Sequence, residues 1–156
     1  MPQYSIHGSK YFDVRELVDP RTFGILGIKS ACLIDPAIIR VADLLREKVG
    51  VPVTINNWHF AKKGESIYKA SGFRAIWEKV GGQLSQHRCG RAADFKVKGM
   101  TPILVLSIIM AHKAEFMEAG LTTIEDVEFT KTWLHLDVRP RVPGWHPDGD
   151  LLIVRP

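Results

Sequence analysis

Two histidines and one aspartate in this chain have the residue types and the context of a metal site. His87 lies in the segment SQHRCGRAADF, which also contains Asp94, and His135 lies in TWLHLDVR. Imidazole and carboxylate are suitable zinc donors where no thiolate is available, and a hydrolytic zinc site uses three protein ligands and leaves a fourth position for water. The two cysteines, Cys32 and Cys89, are far apart and form no Cys-x-x-Cys pair. A zinc site here would therefore use histidine and carboxylate.

His87 and Asp94 can lie side by side only if a tight turn and a strand connect them. The segment 92–97 (AADFKV) is predicted as a strand, and the intervening RCGRA contains Gly90. Glycine permits the backbone conformations that a tight turn requires. Such a turn would bring Asp94 back beside His87.

The last third of the chain is predicted to supply the remaining strands. Residues 127–139 alternate over a long run, which is typical of one or two strands, and 151–154 (LLIV) form a final apolar strand. Successive side chains of a strand point to opposite faces, so Asp137 shares the face of His135.

Two helices are predicted from their first residues. Asp35 can act as N-cap and Pro36 as the first helical residue, and an apolar stripe then continues to Gly50. Thr101 and Pro102 repeat this signal, and the second helix is predicted to run to about residue 119, where a glycine follows.

The other predicted elements are short. A brief helix is expected in 13–18 (DVRELV), followed by a Pro/Gly-rich loop, and 51–55 alternates as a strand. We expect one α+β domain over residues 1–156, in which a small antiparallel sheet carries the zinc site and helices flank it.

Composition excludes several classes of protein. The 156 residues, 46% of them hydrophobic, suffice for one core without a disulfide framework. Basic residues are scattered rather than interleaved with aromatics on one face, so no nucleic-acid partner is expected. The apolar run 103–111 is shorter than the ~20 residues a bilayer needs, so no membrane partner is expected. The N-terminus shows no signal segment, which predicts synthesis in a host cytoplasm and release by lysis or within a particle.

The ordered set of segments resembles a known family. SGFR, then VGG, SQHRCGRAADF and TWLHLDVR resemble the zinc D-Ala-D-Ala carboxypeptidases, whose superfamily also contains the Hedgehog signalling domain. The most similar branch is that of the small single-domain peptidases of bacteriophages, and the resemblance covers nearly the whole chain.

The resemblance implies a role for several residues. One zinc ion per chain would be bound by His87, Asp94 and His135. Arg74, in SGFR, matches the family arginine near the metal, where a guanidinium can hold the substrate carbonyl or the oxyanion formed from it. Ser85 matches a serine that contacts substrate, although a serine there can also fix the loop through a hydrogen bond to the backbone.

The general base is not identified by the resemblance. Several relatives carry Glu or Asp three residues before the last zinc histidine, where this chain has Thr132, and others carry a histidine where it has Trp133. Asp137 is preferred as the base by a small margin over Glu125, and Asp126 is a further candidate. Asp137 could equally be an acceptor that orients a ligating histidine.

Two functions follow as expectations. The first is a zinc metallopeptidase that hydrolyses a peptide bond in peptidoglycan stem peptides, either as a phage endolysin or as a virion-associated wall hydrolase acting beside other virion proteins. The second is a non-catalytic, zinc-stabilised component of a phage tail or baseplate, which the absence of a carboxylate at Thr132 favours.

Overall fold

Four α-helices and a five-stranded sheet make up the regular structure of this α+β protein, for which the computed structural model describes residues 2–155. The helices are α1 (Pro20–Leu26), α2 (Pro36–Val49), α3 (Pro102–Ala111) and α4 (Lys113–Ala119). The strands are β1 (Val53–Thr54), β2 (Ala92–Val97), β3 (Thr123–Glu125), β4 (Leu134–Asp137) and β5 (Leu152–Val154). Within these described residues, 3-10 segments occur at Val14–Glu16, Gly27–Leu33 and Gln86–Cys89.

The sheet is mixed rather than purely antiparallel. Its strand order is β1-β2-β4-β3-β5, and the first three pairings are antiparallel, as predicted. The prediction is wrong for β5, which pairs with β3 in parallel. A parallel neighbour needs a long connection, and the Pro/Gly-rich segment after β4 is long enough to return the chain to the edge of β3 in the same direction.

Helix α2 forms as its sequence predicts. The Asp35 side chain accepts from the amide of Ala37, Pro36 is the first helical residue, and Gly50 ends the helix with φ at +67°. The same N-terminal signal starts α1, where Asp19 caps a helix beginning at Pro20. The predicted Pro/Gly-rich loop is therefore wrong there, because Asp-Pro favours a helix start in this segment as it does in α2.

The long helix predicted after Thr101 is two helices. His112 leaves the helical region, with φ −117° and ψ 26°, and its amide donates to the carbonyls of both Ile108 and Ile109. Its ring nitrogen Nδ1 contacts Glu115 in the first turn of α4 at 2.9 Å. The spacing of apolar residues continues across the break, so it could not predict where the helix ends.

The strand predicted over 127–139 is shorter than expected. Asp126 starts a turn in which its carboxylate accepts from the amide of Glu128 and its carbonyl accepts from the amide of Phe129. Such turns are a common conformation of aspartate. Strand pairing therefore occurs only on either side of the turn, in β3 and β4, and β3 was not predicted. The strand predicted over 51–55 is also shorter than expected, since only β1 forms there. The short helix predicted in 13–18 is a 3-10 segment.

The apolar core lies between the sheet and the helices. Its largest fully buried side chains include Phe12, Leu45, Ile55, Phe95 and Phe116. Among residues 2–155, no single helix is both long and apolar enough to cross a membrane; the two segments Pro20–Leu33 and Pro36–Val49 meet the length and composition criteria only jointly, with a bend of 86° between them.

Candidate metal centre

Strand register brings two of the predicted ligands together. Asp94 on β2 and His135 on β4 are directly opposite each other in the antiparallel pair. Directly opposite residues of such a pair project to the same face of the sheet. The Asp94 Oδ1 atom lies 2.8 Å from His135 Nδ1 as a result.

A tight turn carries the third ligand, as predicted. His87 lies in the 3-10 segment Gln86–Cys89, which ends at Gly90 with φ at +67°. A β-carbon at Gly90 would lie 1.8 Å from the carbonyl oxygen of Leu33, so only glycine fits this position. The turn places His87 against the start of β2, and its side chain is 2% exposed.

The three side chains converge on one point. His87 Nε2 lies 3.2 Å from His135 Nδ1 and 3.3 Å from Asp94 Oδ1. Together with the Asp94–His135 contact, these distances place one donor atom from each residue within 4.8 Å of the others. The cluster of His87, Asp94 and His135 could therefore hold a metal ion.

Hydrogen bonds orient both imidazole rings for this purpose. His87 Nδ1 lies 2.8 Å from the carbonyl oxygen of Gly72, which can only accept, so Nδ1 carries the hydrogen and Nε2 directs its lone pair at the cluster. His135 presents Nδ1 to the cluster and Nε2 to Asp137 Oδ2, at 3.4 Å. An acceptor behind each ligating histidine is characteristic of metal sites, because it fixes the tautomer and the ring orientation.

Asp137 is buried behind His135 rather than beside the donor atoms. Its side chain is 0% exposed, and Arg139 forms an ion pair with both of its oxygens. The carboxylate also accepts from the Arg139 amide at 3.1 Å. With these contacts and that of His135 Nε2, both oxygens of Asp137 are engaged on the far side of the ring from the cluster.

Glu125 and Arg74 flank the cluster on the open side. The Glu125 Oε2 atom lies 3.9 Å from His135 Nδ1, because β3 continues the row of side chains across the sheet. Arg74 Nη2 lies 3.3 Å from Asp94 Oδ2, and its Nε donates to the carbonyl of Ala70 at 2.7 Å. A carboxylate and a fixed guanidinium thus face the donor cluster.

A cleft of about 510 Å³ opens over the three donors. Arg74, Ser85 and Glu125 line it, together with Trp133 from the strand that carries His135. Ser85 precedes the 3-10 segment, and its side chain makes no capping hydrogen bond there. The loop-fixing role considered for the Ser85 hydroxyl is therefore absent in this conformation.

Burial and pairing shift the pKa values of the cluster. Burial lowers the pKa of His87. Burial alone would raise the pKa of Asp94, but the hydrogen bond from His135 and the nearby imidazole of His87 outweigh it and hold that pKa below its usual range. Burial also opposes protonation of His135, yet its hydrogen bonds to Asp137 and Asp94 raise the pKa to about 9.

The pKa values of the two candidate bases, Glu125 and Asp137, shift in opposite directions. Burial raises the pKa of Glu125. Burial would also raise that of Asp137, but its hydrogen bonds with His135 and Arg139 hold it below the usual range. A buried carboxyl whose pKa moves towards neutrality is the better suited of the two to exchange protons.

The structure brings together most of the predicted site residues. Asp126 is an exception, since its carboxylate pairs with Arg155 at 3.1 Å and does not line the cleft. Arg139 was not predicted as a site residue. Its alternate spacing with His135 and Asp137 in TWLHLDVR places it on the same face, and this spacing could have indicated it. Lys96, which shares a face of β2 with Asp94, was also missed, and burial lowers its pKa to about 8.

Comparisons with known proteins add no relative to this description. Neither the protein-family models, nor the curated proteins, nor the solved structures contain a match to the chain.

Proposed function

We propose that this protein is a zinc metallopeptidase that hydrolyses a peptide bond in peptidoglycan stem peptides. The observation that carries the proposal is the convergence of His87, Asp94 and His135 beneath a cleft that also contains Glu125 and Arg74. The substrate class rests on the resemblance of SGFR, SQHRCGRAADF and TWLHLDVR to the zinc D-Ala-D-Ala carboxypeptidases.

The donor cluster fits zinc in chemistry and in size. Two imidazoles and one carboxylate make up the three-ligand set that catalytic zinc sites use, with a further coordination position left open. Tetrahedral zinc with bonds of about 2.0–2.2 Å keeps its ligand atoms roughly 3.3–3.6 Å apart. The three donor atoms lie 2.8–3.3 Å apart, so they need to spread by only a few tenths of an ångström.

A zinc ion held by His87, Asp94 and His135 would supply the chemistry that activates a water molecule and polarises the scissile carbonyl. The protein's own residues hold the ligating histidines in the correct orientation and exchange protons with the reactants. His135 is kept in its ligating orientation by Asp137, and His87 by the carbonyl of Gly72. Both contacts are made within the protein itself, so they hold the two rings in a ligating orientation.

Glu125 is the general base in this proposal. Its carboxylate lines the cleft 3.9 Å from the donor atom of His135, whereas both oxygens of Asp137 are bound behind the ring. We therefore transfer the assignment made from the sequence from Asp137 to Glu125. Glu125 takes the proton of the attacking water and delivers it to the leaving amine, and burial supports this role by raising its pKa.

Arg74 and Ser85 act on the substrate. The Arg74 guanidinium, held by the carbonyl of Ala70, donates to the carbonyl oxygen as negative charge develops on it. Ser85 offers a hydroxyl at the wall of the same cleft to the peptide backbone. The alternative of a non-catalytic tail or baseplate component depended on the missing carboxylate at Thr132, and Glu125 supplies a carboxylate at the cluster from another strand.

Digestion of purified peptidoglycan tests the proposal. The zinc-loaded protein should release peptides identifiable by mass spectrometry and reduce the turbidity of a wall suspension, and a chelator should stop both. His135→Ala should abolish zinc binding and release, while His112→Ala, which changes a histidine outside the site, should do neither. A folded, zinc-loaded protein that releases nothing from walls of several bacterial types would overturn the proposal in favour of the structural alternative.

A further inference from the structure

Two surface turns hold apolar side chains out into solvent. The turn over 75–78 is closed by a 2.9 Å hydrogen bond between its first carbonyl and its last amide, and Ile76 and Trp77 are its corner residues. The turn over 82–85 is closed in the same way at 3.2 Å, and Leu84 is at one of its corners. Ile76 and Leu84 are 91% and 92% exposed, the two highest values among the large apolar side chains that the structure describes.

One guanidinium group fixes both turns. Arg88 Nη1 and Nη2 donate to the carbonyls of Ala75 and Glu78 at 2.9 and 2.8 Å. Its Nε donates to the carbonyl of Gly82, in the second turn, at 3.3 Å. Turn corners usually hold Gly, Pro, Asn, Asp or Ser, so apolar corners are uncommon. The two apolar corners are thus held in place relative to each other by the same side chain.

The first turn is also fastened to helix α1. Trp77 Nε1 donates to Asp19 Oδ1 at 3.3 Å, and the Arg21 guanidinium lies 4.4 Å from the centre of the indole ring. Ile25 follows Arg21 by one helical turn and is exposed, and Val80 is exposed between the two surface turns. These side chains form one protruding apolar surface, here called the tip surface, which consists of Ile25, Ile76, Trp77, Val80 and Leu84.

Positive charge surrounds the tip surface. The segments 19–29 and 75–88 carry two acidic side chains, Asp19 and Glu78, and four Lys or Arg side chains: Arg21, Lys29, Lys79 and Arg88. Asp19 is buried beneath Trp77, whereas Arg21 and Lys79 are exposed. The surface therefore combines apolar tips with cations at their base, which is complementary to a partner that is apolar inside and anionic at its surface.

We propose that the tip surface inserts into the headgroup region of an anionic lipid bilayer. Tryptophan and apolar side chains partition into this region, and Lys and Arg beside them meet the anionic headgroups. A protein would need a matching pocket to receive two fixed apolar corners, whereas a bilayer accepts them at any point. The contact is peripheral, so it differs from the membrane partner that the short apolar run 103–111 made unexpected, which was one spanned by a helix.

The location of the tip surface gives this contact a consequence for the cleft. Gly81, Gly82 and Leu84 line the cleft over the metal-donor cluster, and Leu84 also belongs to the tip surface. A protein held on a bilayer by these turns would carry its cleft at the membrane surface. The proposal does not depend on the peptidase activity, because lipid binding is measured without substrate or metal.

Sedimentation with vesicles of phosphatidylglycerol and phosphatidylcholine in equal parts tests the proposal. The full chain should sediment with these vesicles, and Ile76→Ser should weaken the affinity about tenfold, since it removes one apolar side chain from the inserted surface. Ile103→Ser is the matched control, because Ile103 is also exposed but lies on α3 outside the tip surface. A change of less than about twofold is expected for it. No sedimentation, or equal losses in the two variants, would overturn the proposal.

The charge requirement has its own test. Vesicles of phosphatidylcholine alone should bind at least tenfold more weakly, and added salt should weaken binding to the anionic vesicles. Lys79→Gln should lower the anionic affinity about fivefold, whereas Lys98→Gln, at an exposed position before α3, should change it less than about twofold. Equal binding to both kinds of vesicle would contradict an anionic bilayer as the partner.

Fluorescence shows which part of the protein enters the lipid. Brominated acyl chains should quench tryptophan emission of the bound protein, and Trp77→Phe should remove most of that quenching, because Trp77 lies in the tip surface. Thermal unfolding checks that Trp77→Phe is folded, and Ile76→Ser changes a side chain so exposed that folding does not depend on it. Quenching that persists in Trp77→Phe would reject insertion of this surface. Self-association that Ile76→Ser abolishes, without vesicle binding, would assign the surface to a second copy of the chain instead.

Discussion

Asp94 and His135 are paired across β2 and β4 with Oδ1 and Nδ1 2.8 Å apart, and the same two atoms are candidate metal donors. The contact is an ion pair only while Nδ1 carries a proton. A metal ion bound by the cluster must displace that proton, since a ligating nitrogen has to offer its lone pair. Zinc and a proton therefore compete for His135 Nδ1.

Zinc binding should release about one proton per chain at pH 7. The pKa of His135 is raised to about 9, so its imidazole is charged at neutral pH and must lose Nδ1–H when it ligates. The apparent zinc affinity should accordingly rise about tenfold per pH unit between pH 6 and 8, because protons compete less as the pH approaches 9. Titration calorimetry in buffers of different ionisation enthalpy measures both quantities, and binding without proton uptake by the buffer would contradict the assignment of Nδ1.

Asp137→Asn should weaken zinc binding by about 10–100-fold, and added zinc should restore much of the lost peptidase activity. The carboxylate orients His135 through Nε2 and is 0% exposed, so it does not reach the substrate. Zinc titration against a chromophoric chelator gives the affinity. Asp148→Asn, at an exposed position, is the matched control. Full zinc affinity with complete loss of hydrolysis would instead make Asp137 the base.

Glu125→Gln should retain zinc and reduce hydrolysis by about 10²–10⁴-fold. The amide preserves the size of the side chain but cannot take a proton from water. Single-turnover peptide release, measured at saturating zinc, isolates this effect, and Glu128→Gln on the exposed turn should match the unchanged protein. If Glu125→Gln lowered zinc affinity instead, Glu125 would be a fourth ligand rather than the base.

Arg74→Lys should lower kcat by about 10²–10³-fold with little change in zinc affinity. Lysine keeps the charge but lacks the planar fork through which Arg74 contacts both Asp94 and the Ala70 carbonyl. Arg40→Lys, on the exposed face of α2, serves as the control in the same kinetic assay. A loss of less than threefold would assign Arg74 to folding.

Gly90→Ala should destabilise the fold by roughly 3 kcal/mol or more. The new β-carbon would meet the Leu33 carbonyl oxygen at 1.8 Å in a backbone with φ at +67°. Gly99→Ala has a similar φ of +75° but open space around it, so it should cost only about 1–2 kcal/mol. Denaturant unfolding of the two variants compares them, and equal costs would show that the contact with Leu33 relaxes easily.

The amino-acid sequence by itself determined the local features of this protein. The Asp35-Pro36 start and Gly50 end of α2 depend on neighbouring residues alone, because capping is a property of one helical turn. The turn between His87 and Asp94 is likewise local, since it needs only Gly90 and a following strand. The spacing of two histidines and one aspartate was by itself a weak signal, and the resemblance of their segments to a zinc family named the donor set before any packing was known.

Only the tertiary structure decided which residues meet those donors. The sequence favoured Asp137 over Glu125 as the base by a small margin, but strand pairing placed Glu125 on the open side of His135, and Arg139 bound both oxygens of Asp137 behind it. The parallel pairing of β5 with β3 and the hydrogen bonds of Lys96 to Ser71 and Ile55 also depend on contacts between distant segments. Such contacts arise from the pairing of strands that are far apart in the chain, and no periodicity within one segment records them.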